Sequence, residues 1–160
     1  AGPIFDEIQN RIPSDIFFVH MIQEVVRHIK NQYSSIQNIG ILATTGTMKA
    51  KVYHDELIEN RLNPVTISQD EQDTIVEPAI YHKDFGVKAF SNPIKPEARR
   101  NLDTGIELLI NKGAEIIILG CTEIPLAFPE SNYNGIPLID STKILARALI
   151  LNSNPDLLKK

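Results

Sequence analysis

Cys121 is the only cysteine in a chain of 160 residues. It follows the apolar run Ile116-Ile117-Ile118-Leu119-Gly120 and precedes Thr122-Glu123-Ile124-Pro125. A short run rich in β-branched residues reads as a strand buried on both faces, the parallel-sheet kind. Gly120 lets the backbone turn, so Cys121 falls at the strand's carboxyl end, where open α/β sheets carry their ligand sites. A thiol at such a place can move protons if its thiolate is reachable. A helix N-terminus would stabilise the thiolate, and Glu123 or a neighbour could accept or relay the proton. A lone cysteine behind a buried strand is also a common small core hydrophobe, and position alone leaves both readings open.

A second group of candidates follows another strand. Ile39-Gly40-Ile41-Leu42-Ala43 runs into Thr44-Thr45-Gly46-Thr47, with a helix expected from about Met48 to Asn60. Strand, Gly/Thr turn and helix together make a small anion pocket of N–H groups and hydroxyls. Neither Gly-x-x-x-x-Gly-Lys-Ser/Thr nor Gly-x-Gly-x-x-Gly is present, so a small carboxylate fits better than a nucleotide. Thr44 or Thr45 can cap the helix at the same time. Lys88, near a helix end, is either a solvated charge or a group that reaches a substrate carboxylate. His20 follows Ile16-Phe17-Phe18-Val19, read as a short buried strand; it could bind a carboxylate, cap the next helix or pack.

These groups need elements to hold them. The spacing of Ile4, Phe5, Ile8 and Ile12 after Pro3 predicts a helix over 3–12. A helix over about 21–32 precedes the Ile39 strand, and a third strand covers 63–67. Ser68 and Glu71 form a capping box, and Pro78 interrupts the helix they start or begins a new one. Helix continues over 81–90 with a break near Gly86. A long helix spans 96–112 with Gly113 at its C′ position and Leu102, Ile106, Leu109 and Ile110 as its apolar stripe. Pro125 and Pro129 end the short helix after Cys121. The last strand is 135–140, and Asp140 or Ser141 caps a helix to about Leu151, followed by a fraying tail. This alternation predicts an α/β, parallel-sheet domain of Rossmann-like or flavodoxin-like three-layer form.

Composition narrows the classes. The length suits one domain, which buries about two-thirds of its unfolded surface without staples. Hydrophobic residues make up 42% and charged residues 22%, ordinary values for a globular protein. The net charge of −4 with no basic run does not point to nucleic acid. One cysteine excludes an intrachain disulfide and a multi-cysteine zinc site and fits a reducing, cytoplasmic setting. No segment nears 18 consecutive apolar residues, so no membrane span is expected. No signal peptide is visible either. The four histidines are scattered, and neither metal nor cofactor is expected.

Three motifs then carry a family resemblance. Gly120-Cys121-Thr122-Glu123-Ile124-Pro125-Leu126 resembles the second cysteine motif of the aspartate/glutamate racemase family. Glu123, where glutamate racemases usually have His, favours the aspartate racemase branch. Gly40-Ile41-Leu42-Ala43-Thr44-Thr45-Gly46-Thr47-Met48 resembles the strand and turn that open the family's second domain. Pro137-Leu138-Ile139-Asp140-Ser141-Thr142 resembles the strand and helix by which the chain returns to the first domain.

The resemblance implies a cofactor-independent amino-acid racemase in which two cysteines flank the substrate's Cα, one removing the proton and the other delivering one to the opposite face. It implies Cys121 as a catalytic residue and Thr44, Thr45, Thr47, Lys88, Thr122 and Glu123 as substrate-binding residues, with aspartate or glutamate as substrate. The family's other cysteine lies in a Cys-Asn-Thr motif that this sequence lacks. The chain therefore resembles the C-terminal two-thirds of a racemase. Residues 1–35 would be a remnant of the first domain, 36–133 the second α/β domain, and 134–160 the return strand and helix of the first domain plus a tail. The uncovered strand edges this leaves would invite a homodimer. The alternatives are a non-catalytic carboxylate-binding fragment, or a superfamily enzyme of the maleate isomerase, hydantoin racemase or malonate decarboxylase type.

Overall fold

The structure, a computed structural model, describes residues 7–8, 10–13 and 15–158. Its centre is a sheet in the order β2-β1-β3-β5-β4, formed by β1 (Asn38–Leu42), β2 (Asn63–Val65), β3 (Ile116–Leu119), β4 (Asn132–Tyr133) and β5 (Ile136–Asp140). β2, β1, β3 and β5 run parallel, and β4 is an antiparallel edge on β5. This is the parallel-sheet α/β architecture read from the alternation of elements.

β3 sits in the middle of the sheet, and all four of its residues are buried. Its side chains alternate between the two faces, as the period of a strand requires. Ile116 and Ile118 join the core on one side, with Ile39, Ile41, Tyr53 and Leu57. That side is covered by α1 (Met21–Gln32), through Ile22, Val25, Val26 and Ile29, and by α3 (Val52–Glu59). Ile117 and Leu119 join the core on the other side. There α6 (Pro96–Asn111) supplies Leu102, Ile106 and Leu109. Each such side chain contributes about 1.5–3 kcal/mol of burial. Gly113, at φ 91°, closes α6 in the left-handed conformation expected of its C′ position.

The elements after β2 are less regular than their periodicity suggests. Ser68 and Glu71 do form the capping box, opening α4 (Gln69–Glu71). A π-helical stretch, Gln72–Val76, follows, and runs directly into α5 (Glu77–Tyr81), which carries Pro78 in its first turn. The helix expected over 81–90 stops at Tyr81. The chain turns instead, held by Val87 N donating to Ala79 O (2.9 Å) and Lys88 N to Ile80 O (3.1 Å).

The helix expected over 48–60 is two helices, α2 (Thr45–Lys49) and α3, separated at Lys51, whose φ of 54° breaks the helical repeat. The break re-aims the chain so that Tyr53 and Leu57 turn onto the sheet. After β3 comes a four-residue helix, α7 (Ile124–Ala127). α8 (Ser141–Ser153) begins directly after β5, with Asp140 accepting from Thr142 N and Lys143 N as its cap.

The stretch 16–19, read as a buried strand, is irregular. Ile16 is 56% and Phe17 68% exposed, and among the described residues no strand pairs with it. A buried strand needs a ladder partner for its N–H and C=O groups, and here there is none. His20 caps α1 through Nδ1, which accepts from Gln23 N. Of the helix expected over 3–12, Glu7, Ile8, Asn10 and Arg11 are helical, and residues 1–6 lie outside the described residues. The boundary expected at 134 falls between β4 and β5, which are paired, and β5 in turn is bonded to β3 in the same sheet.

Candidate active site

The carboxyl ends of β1, β3 and β5 lie side by side. Leu42 is in register with Leu119, and Leu119 with Asp140. Gly120 N continues the ladder by donating to Leu42 O at 2.8 Å. A Cβ on Gly120 would stand 2.9 Å from Ala43 Cβ and 3.0 Å from a Tyr53 ring carbon. Only glycine lets the end of β3 pass this close to the end of β1. The residues that follow, Cys121 on one strand and Thr44 on the other, are thereby brought to the same edge.

Cys121 is half-buried and reduced. Its Sγ donates to Glu123 Oε2 at 3.0 Å, and Thr122 Oγ1 donates to the same oxygen at 2.8 Å. The other oxygen, Oε1, accepts from Lys88 Nζ at 2.9 Å. Lys88 Nζ also lies 5.5 Å from the centre of the Tyr81 ring. Four of the seven site residues expected from the sequence thus form one hydrogen-bonded set, although Lys88 is 33 or more positions away from the other three.

The electrostatics of this set run one way. The bonds from Cys121 and then Lys88 hold the Glu123 carboxyl down at about 2. The Lys88 ammonium is pushed up, chiefly by its bond to Glu123. The Cys121 thiol is pushed up, first by burial and then by donating to the Glu123 carboxylate. The expectation that a helix N-terminus would stabilise a thiolate is not met. α7 has only four residues, and desolvation together with an adjacent negative charge outweighs it. Both causes favour the neutral thiol, bonded to the Glu123 carboxylate.

The threonine turn is the second cluster. Thr44 Oγ1 caps α2 by accepting from Thr47 N at 3.2 Å, and lies 3.0 Å from Thr47 Oγ1. Thr45 N donates to Glu77 Oε2 at 2.8 Å, while Thr45 Oγ1 is buried with no hydrogen-bond partner among the described residues. Gln72, itself buried, donates from Nε2 to Ala43 O at 3.0 Å. Beneath the site Tyr53 donates to Ser141 Oγ (2.8 Å), and Ser141 donates to Leu119 O (3.1 Å). This buried chain of hydroxyls ties α3, α8 and the end of β3 together. Glu77 and Tyr53 gave no local signal in the sequence, because each acts through a partner 32 or more residues away.

A cleft of about 620 Å³ lies elsewhere, between α1, α8 and the 128–131 loop, and neither Cys121 nor any threonine of the turn lines it. No group of three or more potential metal ligands occurs among the described residues, and no helix among them is long and apolar enough to cross a membrane.

Residues 1–149 match the model of the Asp/Glu/hydantoin racemase family. The chain belongs to that family. Among solved structures it is similar to an aspartate racemase homologue from Pyrococcus horikoshii OT3, at 25% identity and a TM-score of 0.72, over 92% of this chain and 60% of that one. It is also similar to the Picrophilus torridus aspartate racemase, at 30% identity and a TM-score of 0.68, over 90% of this chain and 56% of that one. An uncharacterised protein encoded in the pnlA 3′ region of Pectobacterium carotovorum subsp. carotovorum is 32% identical over 121 residues, 74% of this chain and 75% of its own length. This racemase-family chain therefore spans less than two-thirds of the solved relatives it matches.

Proposed function

We propose that this chain carries one catalytic face of a cofactor-independent amino-acid racemase acting on aspartate or glutamate, with Cys121 as the acid/base at Cα. The observation that carries this reading is the Cys121–Glu123–Lys88 set beside the threonine turn at the carboxyl edge of the sheet. Family membership supports the reaction class.

In the resting protein the thiol is the acid. It approaches one face of a planar, carbanion-like Cα; the S–H bond breaks, the C–H bond forms with the carbanion's electron pair, and a thiolate remains. In the reverse direction the thiolate takes the α-proton. The substrate's α-proton is a very weak acid, so negative charge developing toward an enediolate needs hydrogen-bond donors already in place. Thr44, Thr45, Thr47 and Thr122 are the candidate donors. Lys88 is the candidate partner of the distal carboxylate. Inversion needs a second acid/base on the opposite face, and the single cysteine means that a group outside this set must supply it.

Protection of the thiol tests the site assignment. Aspartate or glutamate is expected to slow alkylation of Cys121 by iodoacetamide in a saturable way, while alanine, which lacks the distal carboxylate, protects poorly. Equal alkylation with and without millimolar diacid would remove the substrate class from the proposal.

A further inference from the structure

We infer that Glu77 receives the ammonium group of the substrate and makes the site select amino diacids over plain diacids; this rests on the reading of the site given above. Glu77 Oε2 accepts from Thr45 N, inside the turn proposed to hold a carboxylate. The segment that carries Glu77 holds this stretch at two points, since Gln72 Nε2 also donates to Ala43 O. Among the described residues Glu77 forms no ion pair with Lys, Arg or His, unlike Glu71, Glu123 and Glu130. It is a part-buried carboxylate whose only hydrogen bond among the described residues comes from a backbone N–H.

Charge complementarity decides what belongs beside it. A ligand carboxylate at Thr44 and Thr47 would sit next to the Glu77 carboxylate, and two like charges at that distance repel unless a cation lies between them. An α-amino acid brings that cation on the carbon next to its carboxylate. The continuation of the same segment carries Lys88 to the Cys121 side of the edge. The edge thus presents acceptor, donors and cation in the pattern of a zwitterion with a second carboxylate: ammonium at Glu77, α-carboxylate at the threonines, distal carboxylate at Lys88. A plain diacid such as succinate matches only the last two and meets Glu77 unshielded.

Calorimetric titration of the intact chain with aspartate, succinate and N-acetylaspartate tests this, on wild type and Glu77→Gln. Wild type is expected to bind aspartate roughly tenfold or more tightly than either of the others, the worth of one charge-assisted hydrogen bond. Glu77→Gln is expected to bring the aspartate-to-succinate ratio close to one, by weakening aspartate without weakening succinate. An unchanged ratio in the variant overturns the role of Glu77 and leaves the site reading standing. Should the variant not fold, wild type decides alone: equal affinity for aspartate and N-acetylaspartate overturns the inference, and a clear preference for aspartate supports it. Binding of none of the three by wild type overturns the site reading and this inference with it.

Discussion

Replacing Glu123 by Gln lowers the pH at which Cys121 becomes a thiolate. In the native protein the thiol is held above its usual value by burial and by its bond to the Glu123 carboxylate. The burial remains in the variant, but the negative charge 3.0 Å from Sγ is removed and Lys88 loses its counter-ion. Both changes favour the charged form of the thiol. The rate of iodoacetamide alkylation, followed from pH 6 to 11, reports the midpoint. The variant's midpoint is expected lower by roughly one unit or more, which is about tenfold in thiolate at neutral pH. A midpoint that does not move would mean that the carboxylate does not govern the thiol's proton.

Replacing Lys88 by Met acts in the opposite direction on the thiol and also on binding. The ammonium favours the thiolate, so its loss raises the alkylation midpoint further. Lys88 is in addition the one cation in the set around Cys121, and losing a charge-assisted contact costs a dicarboxylate roughly tenfold or more in affinity. Alanine, with no distal carboxylate, should be nearly unaffected. Equal losses for aspartate and alanine would place Lys88 in a structural role through Glu123 alone. The Glu123 and Lys88 variants together form a sign test, because a general disturbance of the loop would move both midpoints the same way.

The parts of this arrangement that were legible in the sequence are those governed by local chemistry. The run Ile116–Leu119 is apolar at every position, and it is buried at every position. Ser68 and Glu71 are three residues apart and satisfy each other's backbone, as a capping box does. Cys121, Thr122 and Glu123 are consecutive, so their gathering at one strand end needed only the strand.

What the sequence did not reveal depends on partners far along the chain. Ile16 to Val19 has the composition of a strand, but composition supplies no ladder partner, and the stretch is irregular and largely exposed. Lys88 reaches Glu123 because the chain turns after Tyr81 rather than continuing as helix, and the bonds that hold that turn come from backbone carbonyls. Glu77 precedes a proline in a short helix and shows no periodic or motif signal; only the folded chain brings it to Thr45. The direction of the thiol's shift was likewise invisible, since it depends on burial and on a carboxylate's orientation.

The most direct test of the central claim, that Cys121 moves a proton at Cα, is hydrogen exchange at that carbon. D- and L-aspartate are incubated separately with the protein in D2O, and the α-proton signal is followed by NMR, with Cys121→Ser as control. The account predicts loss of the signal for one enantiomer with its configuration retained, and a rate at least about a hundredfold lower in the variant, the usual worth of a positioned acid/base. No exchange of either enantiomer, or exchange that persists undiminished in Cys121→Ser, would contradict it.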